Sequence, residues 1–133
     1  VIAYFDWRFQ VGEPLELQKF TFWLEAECLS NKWRLISYSK ILDIAVDREL
    51  GLSLRVRALK GFLSNHQALV VECFAKITDA MGEGTQMYIL NEDAKPILRA
   101  GLNADDPQTR QNAERALENL LKLGRSEFLD VDE

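Results

Sequence analysis

The feature that most constrains this chain is a helix near its C-terminal end with clear start and stop signals. Asp106 can cap the free N–H groups of a first helical turn, Pro107 suits the first helical position because it lacks an N–H, and Gly124 permits a left-handed stop. Between these signals, apolar residues recur at helical spacing and charged residues occupy the rest. The apolar stripe is Ala113, Ala116, Leu117, Leu120 and Leu121. The sequence therefore predicts one amphipathic helix that packs by one face.

Helical spacing of apolar residues extends over most of the remaining chain. The earlier segments with this period lie near residues 1–10, 17–28, 35–45, 52–63, 67–81 and 93–102. In the last of these, Asp93 is the expected cap, and Pro96 falls in the first turn, where proline costs least. Met87–Leu90 is the one strand-like run. Together with the C-terminal helix, the pattern predicts about seven helices.

The predicted helices pair into antiparallel hairpins over about residues 14–46, 50–81 and 93–123. Their starts recur at intervals of about 36–43 residues, and a period near 40 is typical of stacked two-helix repeats, of which about three make a stable stack. A chain of 133 residues, 47% of them hydrophobic, is long enough for one core and short for two domains. We therefore expect a single all-α domain over residues 1–133, built from stacked hairpins as an α-solenoid or a helical bundle.

Over residues 94–123 the chain resembles a HEAT repeat, a two-helix unit of α-solenoids. The resemblance rests on the Asp-Asp-Pro turn at 105–107, followed by Arg110 and Ala113. It implies that the turn acid and the arginine serve the structure. Thr109 stands where this pattern usually has valine, and the two earlier hairpins lack both the Asp-Pro turn and the arginine.

A second likeness involves both ends of the chain. With Leu17–Leu24 near the front and Arg125–Asp130 at the end, the chain is similar to the helical C-terminal part of large bacterial multidomain proteins that carry an NTPase upstream. This likeness implies a sensor or partner-binding role without catalysis in this segment. Val1 in place of a methionine fits a fragment of a longer chain, and a processed terminus would look the same.

Composition restricts the partners and the compartment. The net charge of −5 and a pI near 5.0 argue against general affinity for nucleic acid, because such binding depends on Lys and Arg neutralising phosphates. Bases nevertheless outnumber acids between residues 32 and 60, so that a basic middle lies between acidic ends. No apolar run approaches the length that spans a bilayer. The sequence predicts a cytoplasmic protein that does not bind membranes.

Residues that could carry chemistry are few. His66 is the one histidine, and Cys28 and Cys73 lie on apolar helical faces, where reduced core thiols are the expected state. Zinc needs about four Cys or His ligands, so we expect no metal site. The segment 82–85 has two glycines but lacks the lysine and strand of a phosphate-binding loop. Glu25, Glu27, Asp43 and Glu72 are acids on predicted helices, where solvated or paired carboxylates are the common case. The sequence predicts no cofactor and no enzyme.

Two features point instead to binding. Nine of the thirteen aromatic residues lie within the first 38, and Phe22 and Trp23 give the segment near 17–28 a second apolar face, which either the first helix or a partner must cover. The basic run of residues 55–60, Arg55-Val56-Arg57-Ala58-Leu59-Lys60, is either a solvated face or a docking site for an acidic partner. The candidate partner-binding residues are Trp7, Phe22, Trp23, Arg34, Arg55, Arg57 and Lys60.

The function that these observations favour is a non-catalytic, HEAT-like module that binds another protein or an upstream domain of its own chain. The alternative is a nucleic-acid-associated helical module, such as a HEAT-like base-repair enzyme in which an aromatic side chain and a carboxylate act on a displaced base. That alternative predicts tight, salt-sensitive binding to DNA, which the net charge disfavours.

Overall fold

A computed structural model of the protein describes residues 30–45, 52–80 and 91–125 and residue 128. These residues form five helices joined by short turns. The helices are α1 (Asn31–Ala45), α2 (Leu52–Gly61), α3 (Gln67–Ala80), α4 (Asn91–Leu102) and α5 (Pro107–Lys122). The prediction of an all-α fold is confirmed for this part of the chain, which contains no strand. The predicted segments 1–10 and 17–28 and the strand-like run 87–90 lie outside the described residues, so the count of seven helices stays a prediction.

The C-terminal helix forms as its local sequence predicts. The Asp106 carboxylate accepts a hydrogen bond from the Thr109 backbone N–H, Pro107 occupies the first turn, and Gly124 has a φ of 82°. A left-handed glycine at this position is the usual helix stop. Arg110 donates from Nη1 to the carbonyl oxygens of Ala104 and Asp105, at 2.9 and 3.0 Å. The arginine therefore holds the α4–α5 turn against the first turn of α5.

The start of α4 differs from the prediction. The helix begins at Asn91, so that Asp93 lies inside the first turn and does not cap it, and Pro96 is inside the helix. Proline there lacks the N–H that would bond to the carbonyl four residues earlier. Asp93 is unavailable as a cap because its side chain is only 2% exposed and is paired with α2. A tertiary ion pair thus replaces the local cap that sequence reasoning assigned.

Helix α3 is the centre of the fold. It packs against each of the other four described helices, while α4 packs against α5 and α2. The predicted apolar stripes supply the core, because Leu35, Val56 and Val70 and their helical neighbours are buried. The largest fully buried side chains are Tyr38, Phe74, Phe128, Leu35, Leu42, Leu59 and Ile77. Among the described helices, none is both long enough and apolar enough to cross a bilayer.

Helix α4 approaches its neighbours most closely at a glycine. A Cβ atom added to Gly101 would lie 2.6 Å from the Ala113 Cβ of α5 and 3.1 Å from both γ-carbons of Val71 on α3. Carbon atoms in contact normally lie about 3.5–4.0 Å apart. The absence of a side chain at position 101 therefore sets how closely α4, α3 and α5 meet.

Candidate functional site

A cleft of about 370 Å³ lies along the seam between α3 and α5. Ala68, Leu69, Glu72 and Lys76 line it from α3; Asp106, Gln108, Thr109, Asn112 and Arg115 line it from the start of α5. Residues four apart on a helix share a face, so 68, 72 and 76 form one wall and 108, 112 and 115 form the other. The cleft is therefore a groove of mixed polar and apolar surface between two packed helices, in the size range of small ligand sites.

The basic side chains of the cleft already have partners. Lys76 Nζ donates to Ser39 Oγ of α1 at 2.7 Å and lies 3.6 Å from Glu72 Oε1. Arg115 Nε lies 3.2 Å from Asp79 Oδ2, just beyond the lining. Because each cation is neutralised within the fold, the cleft has no concentrated positive charge with which to bind phosphate groups.

Asn112 is the most buried polar side chain of the lining other than Thr109, with 7% of its surface exposed. Its Oδ1 accepts a hydrogen bond from Gln108 Nε2 at 3.3 Å. Its Nδ2 donates to no acceptor among the residues that the structure describes. This nitrogen is not one of the buried side-chain atoms that lack a partner, so it is open to solvent at the wall of the cleft.

The end of the cleft at the start of α5 is negatively charged. Asp106 is exposed, and its Oδ2 accepts hydrogen bonds from the Thr109 hydroxyl at 2.7 Å and from the Thr109 N–H at 3.1 Å. These bonds, the one from the hydroxyl first, hold the pKa of Asp106 below its ordinary value of 3.8, because they stabilise the ionised form. Asp106 is thus a carboxylate at neutral pH.

Two of the predicted basic residues lie together at another place in the fold. Lys60 Nζ lies 2.6 Å from Asp93 Oδ1, and Arg57 Nε lies 3.4 Å from Asp93 Oδ2. The lysine and arginine side chains are 37% and 56% exposed, whereas Asp93 is buried. The sequence predicts a solvated face or a docking site for them, and the structure adds a third role, an ion pair with a buried acid that joins α2 to α4.

The other candidate residues are separated from this pair or fall outside the described part. Arg34 is buried in α1, donates from Nη2 to Asn31 Oδ1, and stacks over the Phe62 ring at 4.9 Å. Arg55 belongs to α2, but its side chain lies outside the described residues, as do the predicted contact residues Trp7, Phe22 and Trp23. The partner-binding role of all seven residues stays a prediction.

Two predictions about possible chemistry are confirmed. Cys73 is a free, buried cysteine whose Sγ lies 3.7 Å from the Leu35 carbonyl oxygen, in the contact between α3 and α1. His66 lies in the turn between α2 and α3, with its backbone N–H bonded to the Phe62 carbonyl. Cys28 and the segment 82–85 lie outside the described residues. Within residues 30–45, 52–80 and 91–125, no three His, Cys, Asp or Glu side chains come together as metal ligands.

The α3–α5 cleft is not among the sites predicted from the sequence, although one feature of the α5 sequence points to it. Thr109 and Asn112 continue the stripe of Ala113 and Ala116 at helical spacing, and both polar residues are buried. Polar residues on an otherwise apolar stripe need hydrogen-bond partners when buried. That requirement could have identified Thr109, which bonds to Asp106, and Asn112, which bonds to Gln108.

No protein-family model, curated protein sequence or solved structure matches this chain. The resemblance to HEAT repeats therefore rests on the residues of the 94–123 segment alone.

Proposed function

We propose that this chain is a non-catalytic helical module that binds another protein, or another domain of its parent chain, in the cleft between α3 and α5. The observation that carries the proposal is a cleft between two packed helices whose lining combines the amides of Gln108 and Asn112 with as many acids as bases. A cleft of this kind suits a neutral, hydrogen-bonding partner surface. The proposed site thus differs from the sequence-based candidates, which are the aromatic residues of the first 38 positions and the basic run of residues 55–60.

The helix packing supports a HEAT-like architecture for the module. Helices α1, α3 and α5 pack in sequence as one layer, and α2 and α4 pack as a second layer. Each hairpin, α2–α3 and α4–α5, thus contributes one helix to each layer. Stacked repeats give this arrangement because each unit contacts its neighbours only. The layer of α1, α3 and α5 offers a continuous surface for a partner, with the cleft at one of its seams.

The nucleic-acid alternative gains no support from the described residues. Arg57 and Lys60 are held by Asp93, and Lys76 and Arg115 are held by acids or by Ser39. Binding to a phosphate backbone depends on exposed cations that are free to exchange small ions for phosphates. The aromatic residues of the first 38 positions remain in the proposal as contacts to an upstream domain.

Site-specific photo-crosslinking tests the proposed function. A benzoylphenylalanine replaces Ala68, which is exposed at the cleft, in the native gene of the source cells. The matched control carries the same residue at Glu114, which is exposed on α5 and does not line the cleft. We expect one defined protein, or a domain of the parent chain, to be crosslinked from position 68 and not from position 114. Nucleic acid as the crosslinked species, or equal products from both positions, would contradict the proposal.

A further inference from the structure

Helix α1 is buried on the side opposite its main neighbour, α3. Two contacts mark the side toward α3: the Leu35 carbonyl oxygen lies 3.7 Å from Cys73 Sγ, and Ser39 Oγ accepts a hydrogen bond from Lys76 Nζ at 2.7 Å. Ser37 lies two residues from Leu35 and two from Ser39, which is about 200° around a helix, so it belongs to the opposite side. Only 6% of Ser37 is nevertheless exposed. Since one packed helix covers one side of its neighbour, something other than α3 covers Ser37.

The cover over Ser37 comes from the same molecule. The structure holds a single chain, so a residue that is buried in it is buried by that chain. Near the start of α1, Arg34 stacks over the Phe62 ring, which places the end of α2 beside the first turn. Ser37 lies one turn further along α1 and is turned further from α3. Its cover is therefore to be sought among the residues outside the described ranges.

Residues 1–29 lead directly into α1 and can return along it. Ser30 caps the helix, because its Oγ accepts a hydrogen bond from the Trp33 backbone N–H at 3.2 Å, and a capping residue is not helical itself. Apolar residues recur at helical spacing up to Cys28, so the chain reverses close to residues 29 and 30. Helices joined by so short a connection pack as an antiparallel hairpin.

The other segments outside the described ranges are less suited to cover Ser37. Residues 46–51 and 129–133 are short and rich in charged side chains, which resist burial. Residues 81–90 run from α3 to α4, whose neighbours are α2, α3 and α5. The segment 17–28 is therefore the part of the chain that fits the buried side of α1.

The segment 17–28 has two apolar faces, and the described helices indicate which one packs inward. In α1, α2, α3 and α5, the apolar stripe that the sequence predicts is the face that packs into the core. The corresponding stripe of the segment is Leu17, Phe20, Leu24 and Cys28. We propose that the side of α1 around Ser37 is the docking surface for residues 17–28 of the same chain, which cover it with this stripe.

The proposal assigns different roles to the two faces of the segment. Phe22 and Ala26 each lie two residues from Leu24, about 200° around a helix, and so belong to the face away from α1. Phe22 is then the candidate contact residue whose face α1 leaves free for an upstream domain. The proposal does not depend on the α3–α5 cleft, which lies on the other side of α3.

Engineered cysteine pairs in the full chain test the docking. Ser37→Cys is combined with Phe20→Cys or with Leu24→Cys, and Cys28→Ala removes the nearby native thiol. The matched control combines Ser37→Cys with Phe22→Cys, because position 22 lies between the other two in the sequence and on the opposite face. Oxidation by a glutathione buffer is followed by mass spectrometry of the digested protein.

We expect the disulfide from position 20 or 24 to form about tenfold faster than the disulfide from position 22, because a disulfide requires Cα atoms within about 7 Å. In concentrated urea, the three pairs should react alike, since their loops are of similar length. A charge pair provides a second measurement in case the cysteine variants do not fold. Ser37→Asp should lower the urea midpoint, and Leu24→Lys should restore part of this loss, whereas Phe22→Lys should not.

Three results would overturn the proposal. Faster crosslinking from position 22 would show that the Phe22 face covers α1, and equal rates from all positions would show that the segment does not dock there. A disulfide between two chains would show that a second copy provides the cover. In each of these cases, a protein crosslinked from position 68 would leave the proposed function standing.

Discussion

Substitution of Gly101 by alanine tests the packing of α4 most directly. The new Cβ would lie 2.6 Å from the Ala113 Cβ and 3.1 Å from the Val71 γ-carbons, so the helices must separate to admit it. Overpacking a core costs about 1–3 kcal/mol, whereas alanine is favoured over glycine in a helix by about 1 kcal/mol. The difference between these two effects is a loss of about 0–2 kcal/mol in the free energy of unfolding. Because the Ala113 Cβ cannot move to another rotamer, we expect the upper half of that range, about 1–2 kcal/mol.

Urea unfolding of the full chain, followed by far-ultraviolet circular dichroism, measures this loss. The matched control is Gly61→Ala at the end of α2, where an added Cβ meets nothing within 4 Å. Alanine at position 61 should stabilise the protein by about 0.5–1 kcal/mol, through helix propensity and a less flexible unfolded chain. The two identical chemical changes should therefore shift the unfolding midpoint in opposite directions.

A double substitution separates the clash from other effects. Ala113→Gly alone should cost about 1 kcal/mol, as glycine does in a helix interior. Combined with Gly101→Ala, it removes the 2.6 Å contact, so the double variant should be more stable than the sum of the single effects by about 1 kcal/mol. Additive effects, or a Gly101→Ala variant stabilised as much as Gly61→Ala, would refute the argument that this approach is tight.

Three further predictions concern charge, pH and the aromatic front. Lys60→Gln should cost about 2 kcal/mol of stability, because it leaves the buried Asp93 carboxylate with the longer, 3.4 Å contact to the exposed Arg57. Asp93→Asn should cost about half of that, because it leaves two partly exposed cations; the reverse order in urea unfolding would contradict this. Asp106 has a lowered pKa in the fold, so its ionised form stabilises the protein above its ordinary pKa of 3.8, and this stabilisation is lost as the pH falls below that value through the folded pKa. The stability difference between wild type and Asp106→Asn should therefore be constant above about pH 5 and decline below 3.8, and parallel pH curves would exclude this role. Phe22→Ser with Trp23→Ser should raise solubility at an unchanged melting temperature if the pair forms a contact surface, whereas loss of the fold would identify both as core.

The sequence predicts what is encoded locally. The start and end of α5 follow from Asp106, Pro107 and Gly124, each of which acts within one helical turn of its own position. The apolar stripes predict most of the buried apolar residues of α1, α2, α3 and α5 for the same reason, since the helical period alone decides which side chains share a face. Both kinds of prediction hold without knowledge of the neighbouring helices.

What the sequence does not predict depends on contacts between distant residues. Asp93 looks like a helix cap until Lys60, 33 residues earlier, is placed beside it. Asn112 looks like one more polar residue of an amphipathic helix until α3 closes the other wall of the cleft. In both cases a residue from another helix sets the role of the side chain, and the sequence pattern does not say which residue that is.

The central position of α3 has a consequence for synthesis of the protein. Helix α3 is complete at Ala80, but two of the helices that cover it, α4 and α5, end only at Leu102 and Lys122. A nascent chain that has emerged up to Ala80 therefore exposes the apolar surface around Val71 until about 40 more residues leave the ribosome, on the order of seconds at the usual rate of elongation. During that interval the growing chain is a natural client for chaperones, and ribosomal pausing between α3 and α5 would lengthen its exposure to aggregation.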